Sequence, residues 1–289
     1  MNKLKFSTSV MEIIRRRYSC RTYSLEPLDE TIIDNLRKFL QEDYSSPLEG
    51  EIRFELLEMS DLDPKVKKKL GTYGFIQGAQ YFLVGAATKS RYDMENFGYI
   101  FEELILIATD LGLDTCWVGG TLRRNRFADQ INIMDSEIIP AITPVGYAAK
   151  HRSKVDRLAR WAARSKNRYP FTNLFFEGDC KHPLTQEKAV PYDIPLEMIR
   201  IAPSASNRQP WRIIKEIDSH HYHFFILRNR SWYSHFLSWP DFPRVDLGIA
   251  ICHFNLTVQE LCLQGRWQFI RPKFTIPNHL EYFISWISE

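Results

Sequence analysis

Two short stretches of this sequence combine residue types that could hold a charged, planar ligand. In Arg17-Tyr18-Ser19-Cys20-Arg21-Thr22-Tyr23, two guanidiniums flank a hydroxyl at alternate positions. Residues two apart share a face of extended chain, so Arg17, Ser19 and Arg21 project together. Forked guanidinium donors match phosphate oxygens in pairs, which would make that face a phosphate clamp. A solvated basic run with Tyr23 packed in the core accounts for the same residues. The second stretch is Ala202-Pro203-Ser204-Ala205-Ser206-Asn207-Arg208-Gln209-Pro210-Trp211. Pro203 pushes Ala202 out of the helical region and stops a helix, and extended chain restarts at Pro210 and Trp211. Between them, short hydroxyl and amide side chains let backbone approach a polar ring closely. Ordinary turn chemistry explains that composition equally well.

Three further features carry weaker signals. The paired glycines of Trp117-Val118-Gly119-Gly120 imply a tight turn or a close backbone approach. His221 and His223 share a strand face beside His220, but no third ligand stands at a metal-binding spacing, so a polar hairpin turn is expected and no metal. Trp232, Tyr233, Trp239 and Phe242 make an aromatic stretch that reads as surface packing or as a lid over a pocket.

The elements that must position these residues follow from periodicity and punctuation. Ser9 and Glu12 have the spacing of a capping box, which predicts a short helix through Ile13, Ile14 and Arg16, directly before the arginine motif. A second helix starts near Asp29, with Ile32, Ile33, Leu36, Phe39 and Leu40 on one face. Strands are expected at Arg53–Leu57 and Tyr81–Ala87, the latter apolar throughout and therefore central. A long helix from Asp93 to Leu111 ends at Gly112 and leads into the Trp117–Gly120 turn. A short helix (Leu122–Ile131), a strand (Ala141–Ala148) and a basic amphipathic segment (Lys150–Arg168) complete residues 1–176. Three prolines and few aliphatic residues mark 177–195 as a linker. Residues 196–289 then supply a helix (Leu196–Ile201), the polar loop, a hairpin (Trp211–Ile217 with His221–Leu227), a long helix opening at Asp246, and strands at Gln268–Pro272 and Tyr282–Trp286.

At a constant offset of 150, Gly98, Leu106, Leu111, Leu113 and Trp117 face Gly248, Leu256, Leu261, Leu263 and Trp267. Chance likeness between two apolar helices would match the leucines. The glycine and tryptophan at the two ends favour one fold made twice.

Taken together, these motifs resemble those of the FMN-dependent nitroreductase superfamily. APSASNRQPW resembles the family's signature loop, and Arg-x-Ser-x-Arg-x-Tyr its N-terminal phosphate motif. Leu111-Gly112-Leu113 followed by Cys116-Trp117-Val118-Gly119-Gly120 is similar to the turn at the flavin ring. Lys166-Asn167-Arg168 before Tyr169-Pro170 resembles a later basic pair that also reaches the phosphate. The likeness runs from about Ile13 to the helix at Asp246.

It implies an α+β nitroreductase-like fold, with central mixed or antiparallel sheets flanked by helices. The cofactor implied is FMN, with NADH or NADPH as donor and a nitroaromatic or quinone as a small-molecule acceptor. Arg17, Ser19, Arg21, Lys166 and Arg168 would hold the phosphate and ribityl end, with Tyr18 and Trp117 also lining the site. Gly119 and Gly120 would present amides to N5, and Pro203, Ser204, Ser206 and Asn207 would pack on the ring from the other half. The chemistry would be the flavin's, with no catalytic side chain. Family members commonly carry both motifs in one subunit of a dimer. Here the arginine motif lies only in the first half and the loop only in the second, which implies a fused, single-chain branch: a monomer with one site. Gly119 also departs from the Glu that several members carry. A flavin-binding protein without turnover uses the same motifs, and an interaction protein that has lost flavin is a further alternative.

Composition narrows the remaining classes. A hydrophobic share of 44% and a charged share of 25% fit a globular chain, and 289 residues suffice for one large domain or two small ones. A net charge of +3 is too small to argue for nucleic acid or an anionic membrane. No run approaches the ~18 apolar residues of a membrane span, and polar residues interrupt any signal-peptide core near the N-terminus. Five scattered cysteines without a Cys-x-x-Cys pair suit reduced thiols, so a cytoplasmic protein is expected.

Overall fold

The computed structural model describes residues 6–42, 46–59, 76–120, 124–151, 153, 167–228 and 240–289. In the first half, helices α1 (Val10–Arg16) and α2 (Glu30–Leu40) precede strands β1 (Ile52–Glu58) and β2 (Tyr81–Thr88). Helix α3 (Asp93–Asp110), strand β3 (Asp114–Thr115), helix α4 (Arg124–Ala128) and strands β4 (Glu137–Ile138) and β5 (Ile142–Gly146) follow. The sheet order is β1-β2-β5-β3, with β4 also on β2. The central place expected for the apolar β2 is the one it occupies, with Leu83 and Val84 fully buried.

The second half repeats this plan. Strand β6 (Phe175–Glu177) and helices α5 (Gln186–Ala189) and α6 (Asp193–Ile201) lead to the hairpin β7 (Trp211–Lys215) and β8 (Tyr222–Leu227). Helix α7 (Phe242–Glu260), strand β9 (Gly265–Gln268) and strand β10 (Leu280–Ser288) complete it. Its order, β7-β8-β10-β9, is that of β1-β2-β5-β3, with β6 added in parallel beside β7.

The two long helices lie against each other, each backed by its own sheet. Phe54 of β1 stacks on Phe101 of α3 at 5.6 Å, and Phe224 of β8 meets Phe254 of α7 edge-on at 5.4 Å. Almost every residue of both helices is buried, including the acidic Glu95, Glu102 and Glu103 of α3 and Asp246 of α7, so these helices run through the interior rather than along the surface. They cross where Gly98 faces the carbonyl of Val245 and Gly248 faces the carbonyl of Glu95, two contacts related by the same offset of 150. The helix ends match too. Gly112 (φ +81°) and Cys262 (φ +55°) adopt left-handed caps, with Leu113 N donating to Ala108 O and Leu263 N to Val258 O, both at 2.9 Å.

Four expectations are corrected. Helix α1 follows Ser9, but no Ser9 side-chain bond caps it; the Val10 amide instead donates to Glu260 at the end of α7 (2.6 Å). Helix α7 opens at Phe242 rather than Asp246, because Pro243 sits in a first turn where a missing N–H is tolerated. The last hairpin uses Gly265–Gln268, not Gln268–Pro272, as partner of β10. The expected linker is folded: it holds α5 and the start of α6, and Leu184, Ala189 and Tyr192 are buried in the core. The second sheet also begins with β6, ahead of residue 178. Most of Lys150–Arg168, including Lys166, and the aromatic stretch through Trp239 lie outside the described residues. No described helix is long and apolar enough to cross a membrane.

Candidate functional site

The arginine motif leaves α1 as extended chain wedged between three segments. Cys20 N donates to Thr115 O (2.8 Å), Gln77 N to Arg21 O (2.9 Å), Tyr23 N to Gln77 O (2.8 Å) and Ala149 N to Thr22 O (2.9 Å). Cys20 and Tyr23 face inward, and the Tyr23 hydroxyl donates to Cys20 O at 2.9 Å. Ser19 and Arg21 are half-buried on alternate positions, as extended chain requires.

Arg17 turns toward the centre of the molecule. Its side chain is 6% exposed, and Nε lies 3.7 Å from Oε1 of the fully buried Glu102 on α3 without a hydrogen bond. Glu102 is a hub that sequence reasoning missed. Its Oε2 accepts from Trp117 Nε1 at 2.7 Å, and its Oε1 meets His253 Nε2 of α7 at 2.9 Å. His253 Nδ1 lies 3.0 Å from the carbonyl of Met198, which can only accept, so Nδ1 carries a proton. A second proton must therefore lie between Nε2 and Glu102. The available signal was the Glu102–Glu103 pair amid the apolar run from Phe97 to Ala108, since charged groups stay buried only when paired.

Trp117, expected to line the site, is half-buried, with its ring edge-on to Phe101 at 4.9 Å. The turn reaches the surface at its end, where Gly119 is half-buried and Gly120 exposed. Val118 pairs with Ile142, and the amides of Gly119 and Gly120 donate no hydrogen bond among the described residues. The side of Gly119 where a Cβ would stand is occupied by the ring of Phe242, 2.5 Å from that position. The close approach implied by the glycine is thus to the first residue of α7.

The second-half loop reaches the same place from the other side. Ser206, Asn207 and Gln209 all have positive φ (51°, 57° and 51°), a conformation that non-glycine residues hold only when surroundings over-determine it. The constraints are visible. Ser204 Oγ accepts from Gln209 N (2.8 Å), Gln209 Oε1 from Tyr169 N (3.1 Å), and Asn207 Oδ1 from Arg168 Nη1 (2.8 Å). The Ala205 amide donates to Asp246 Oδ1 of α7 at 2.8 Å. Asp246 is fully buried, its Oδ2 makes no hydrogen bond, and burial pushes its carboxyl well above the usual range. Pro203 is buried and Ser206 exposed.

These contacts close a circuit. Arg17 meets Glu102, which holds Trp117; that turn meets Phe242 through Gly119; α7 holds the loop through Asp246 and Ala205; Asn207 holds Arg168. Arg168 in turn feels Arg17. Its guanidinium is depressed to about 10, first by burial and then by the charges of Arg17 and Arg200. Two desolvated cations repelling each other beside strained polar backbone form a donor set that suits an anion with a planar ring. A chain of contacts thus links Arg17, the Gly119 turn, Ala205, Asn207 and Arg168. For Tyr18, Ser19 and Arg21 the structure shows position on the adjoining extended segment.

The histidines of the hairpin do something else. His221 and His223 bracket Glu216 at 3.3 and 3.2 Å, and His223 also meets Ser285 at 2.7 Å.

Comparison with known proteins agrees with this architecture. A family model described as "Putative TM nitroreductase" matches residues 9–258. Among solved structures, a "putative nitroreductase" from Thermotoga maritima is similar over 100% of this chain and 97% of its own, at 18% identity and a TM-score of 0.57. An FMN-dependent nitroreductase from Clostridium difficile covers 49% of this chain and 88% of its own, at 18% identity and a TM-score of 0.40. A nitroreductase with bound FMN from Bacteroides fragilis covers 51% and 92%, at 16% identity and a TM-score of 0.39. A search of curated proteins returns no match. With the family model spanning most of its length, the chain belongs to the nitroreductase family.

Proposed function

We propose that this protein is an FMN-dependent oxidoreductase that takes two electrons from NADH or NADPH and delivers them to a small acceptor such as a nitroaromatic or a quinone. The observation that carries the reading is that Arg17 lies close enough to lower the pKa of Arg168, whose guanidinium in turn holds Asn207 Oδ1 of the second-half loop. Arg17, Ser19, Arg21, Lys166 and Arg168, with Tyr18 beside them, would hold the phosphate and ribityl end. Gly119 and Gly120 offer backbone amides to the ring edge, and Pro203, Ser204, Ser206 and Asn207 form its other wall. FMN, when bound, supplies the two-electron chemistry. The residues of the chain bind and orient it, place positive charge beside its anionic end, and keep the loop backbone fixed. Asp246 and Arg168 do the last of these through Ala205 and Asn207.

Both walls come from one polypeptide, so a monomer is expected to suffice. Tyr169–Gln209 and Arg168–Asn207 are the ties that make the loop a preformed surface rather than a mobile one. Titrating the purified protein with FMN and with FAD, then mixing with NADH or NADPH in the absence of oxygen, tests the reading. FMN should bind in preference to FAD, its absorbance should bleach with one of the donors, and an added quinone should restore it. Protein that takes up no FMN would overturn the proposal. FMN that binds without bleaching would leave a flavin carrier in its place.

A further inference from the structure

The internal repeat gives the molecule two poles, and only one of them carries the arrangement described above. Moving each element by 150 residues takes Phe242 to Tyr92, the Gly119 turn to Phe269, and Asp246 to Asn96. The contacts follow the mapping. Phe242 sits on Gly119 at one pole, and at the other the ring of Tyr92 stacks on Phe269, 5.0 Å apart and 11° from parallel. Asp246 accepts from the loop before β7 through Ala205, and Asn96 donates to the loop before β1 through the carbonyl of Gly50 (3.0 Å).

This second pole opens into a cleft of about 760 Å³, within the range of small-molecule sites. Its floor is aromatic: Phe283 meets both Tyr92 and Phe269 edge-on, at 5.5 and 6.0 Å, and Phe269 remains 53% exposed. Its rim holds four guanidiniums against three carboxylates. Arg228 takes Asp241 and Glu281 (2.8 and 2.6 Å), and Arg244 takes Glu95 (2.6 Å), which accounts for every acid in the cleft. Arg91, whose guanidinium lies 5.1 Å from the Tyr92 ring centre, and Arg271 form no ion pair among the described residues.

We propose that this cleft is a second ligand site, distinct from the one between Arg17 and Asn207, and that it takes an aromatic ring bearing an anionic group. The ring would lie on the exposed face of Phe269, where stacking is geometrically open, and the anion would meet Arg91 and Arg271. Duplication supplied the place, and replacement of the glycine turn by Phe269 changed what it accepts. The inference rests on the repeat and the cleft, not on the flavin reading.

The probes are 2-naphthoate, 2-naphthyl phosphate and uncharged 2-naphthol, titrated calorimetrically against the whole protein with and without one equivalent of FMN. Both anions should bind more tightly than the alcohol. The better of the two identifies a carboxylate or a phosphate ligand. Arg91→Glu with Arg271→Glu should weaken the anions about tenfold or more, roughly the worth of one charge-involving hydrogen bond. Phe269→Ala should weaken all three probes. Arg21→Ala and one equivalent of FMN per chain should leave the affinities unchanged. All three cleft positions are exposed, so folding should survive their substitution, and circular dichroism checks that. Equal affinity for alcohol and anion, insensitivity to the double charge reversal, or competition by the first equivalent of FMN would each overturn the assignment. Because the naphthalene probes are read without flavin, the cleft is tested even in protein that binds no FMN.

Discussion

Arg17 has two masters. Its charge lies where a phosphate clamp is proposed, yet its side chain is buried beside Glu102, so its removal should act on binding and on stability together. Arg17→Ala and Arg168→Ala are each expected to weaken FMN binding by about 1.5–3 kcal/mol, the worth of a charge-involving hydrogen bond. Both should also lower the urea midpoint, since Arg168 holds Asn207 Oδ1 and the Ile201 carbonyl, and equal flavin affinities across the series would return both residues to structure alone. Glu102 gives a sharper case. Glu102→Ala strips the acceptor from Trp117 and the partner from His253, and should destabilise by about 3–5 kcal/mol, as breaking a buried charged pair does. Glu102→Gln keeps one acceptor oxygen and should lose clearly less, which chemical denaturation of the two variants would show.

Asp246 adds a pH dependence of definite sign. Burial raises its folded-state pKa, so its contribution to stability is full below the unfolded carboxylate value of ~3.9 and is lost as pH rises through the folded value. Within that window each pH unit removes up to about 1.4 kcal/mol. Asp246→Asn keeps an acceptor for the Ala205 amide and copies Asn96 at the other pole. It should flatten the stability profile and leave the protein more stable near neutral pH. A profile identical to the parent's would show that the buried carboxyl does not titrate there.

At the scale of elements, the two helix glycines set how closely α3 and α7 approach. A methyl group at Gly98 or Gly248 would meet an opposing backbone carbonyl, which cannot swing aside as a side chain can. Each Gly→Ala change should therefore destabilise by about 1–3 kcal/mol, measured by urea unfolding, although alanine favours helix intrinsically. Gly119 differs, because its obstacle is the ring of Phe242. Gly119→Ala should destabilise alone and recover when combined with Phe242→Leu. Failure of the pair to recover would place the constraint in the turn itself.

These cases show which elements were legible beforehand. Helix α3 and the β7–β8 hairpin announce themselves through periodicity and flanking turns, and the Gly98/Gly248 register survives in the letters. What tertiary contacts decide was hidden. The cap of α1 comes from Glu260, 250 residues away, so a local capping box was the wrong place to look. Prolines made residues 177–195 resemble a linker, while a few buried positions (Leu184, Ala189, Tyr192) fix that segment in the core. The arginine motif and the polar loop stand out in the sequence as candidates for binding chemistry. Glu102, Asp246 and Phe242, which hold them in place, do not, because their partners lie on other elements.

For the whole molecule, the proposal is one FMN per chain, held only when both halves are present. The first half contributes Arg17 and the Gly119 turn, the second the loop at Ser204–Asn207, and α7 touches both through Phe242 and Asp246. The structure also says where the halves can be parted. A break at Lys181–Lys188 would take β6 from the sheet it shares with β7, and would separate Arg168 from Asn207. A break between residues 151 and 167 leaves both ties within the second piece. Coexpressed fragments 1–151 and 152–289 should therefore reassemble with one flavin per pair, read as the ratio of flavin absorbance to protein. Each piece alone should be colourless and aggregate, since the buried face of α3 or α7 would become an exposed apolar surface. The same ratio on the intact chain should be one, in a particle whose sedimentation matches a monomer. Two flavins per chain would mean that the Tyr92–Phe269 pole still binds flavin, and flavin held by residues 1–151 alone would mean that the second-half loop is not a wall of the site. A dimer with flavin only between copies would remove the argument that both walls come from one chain.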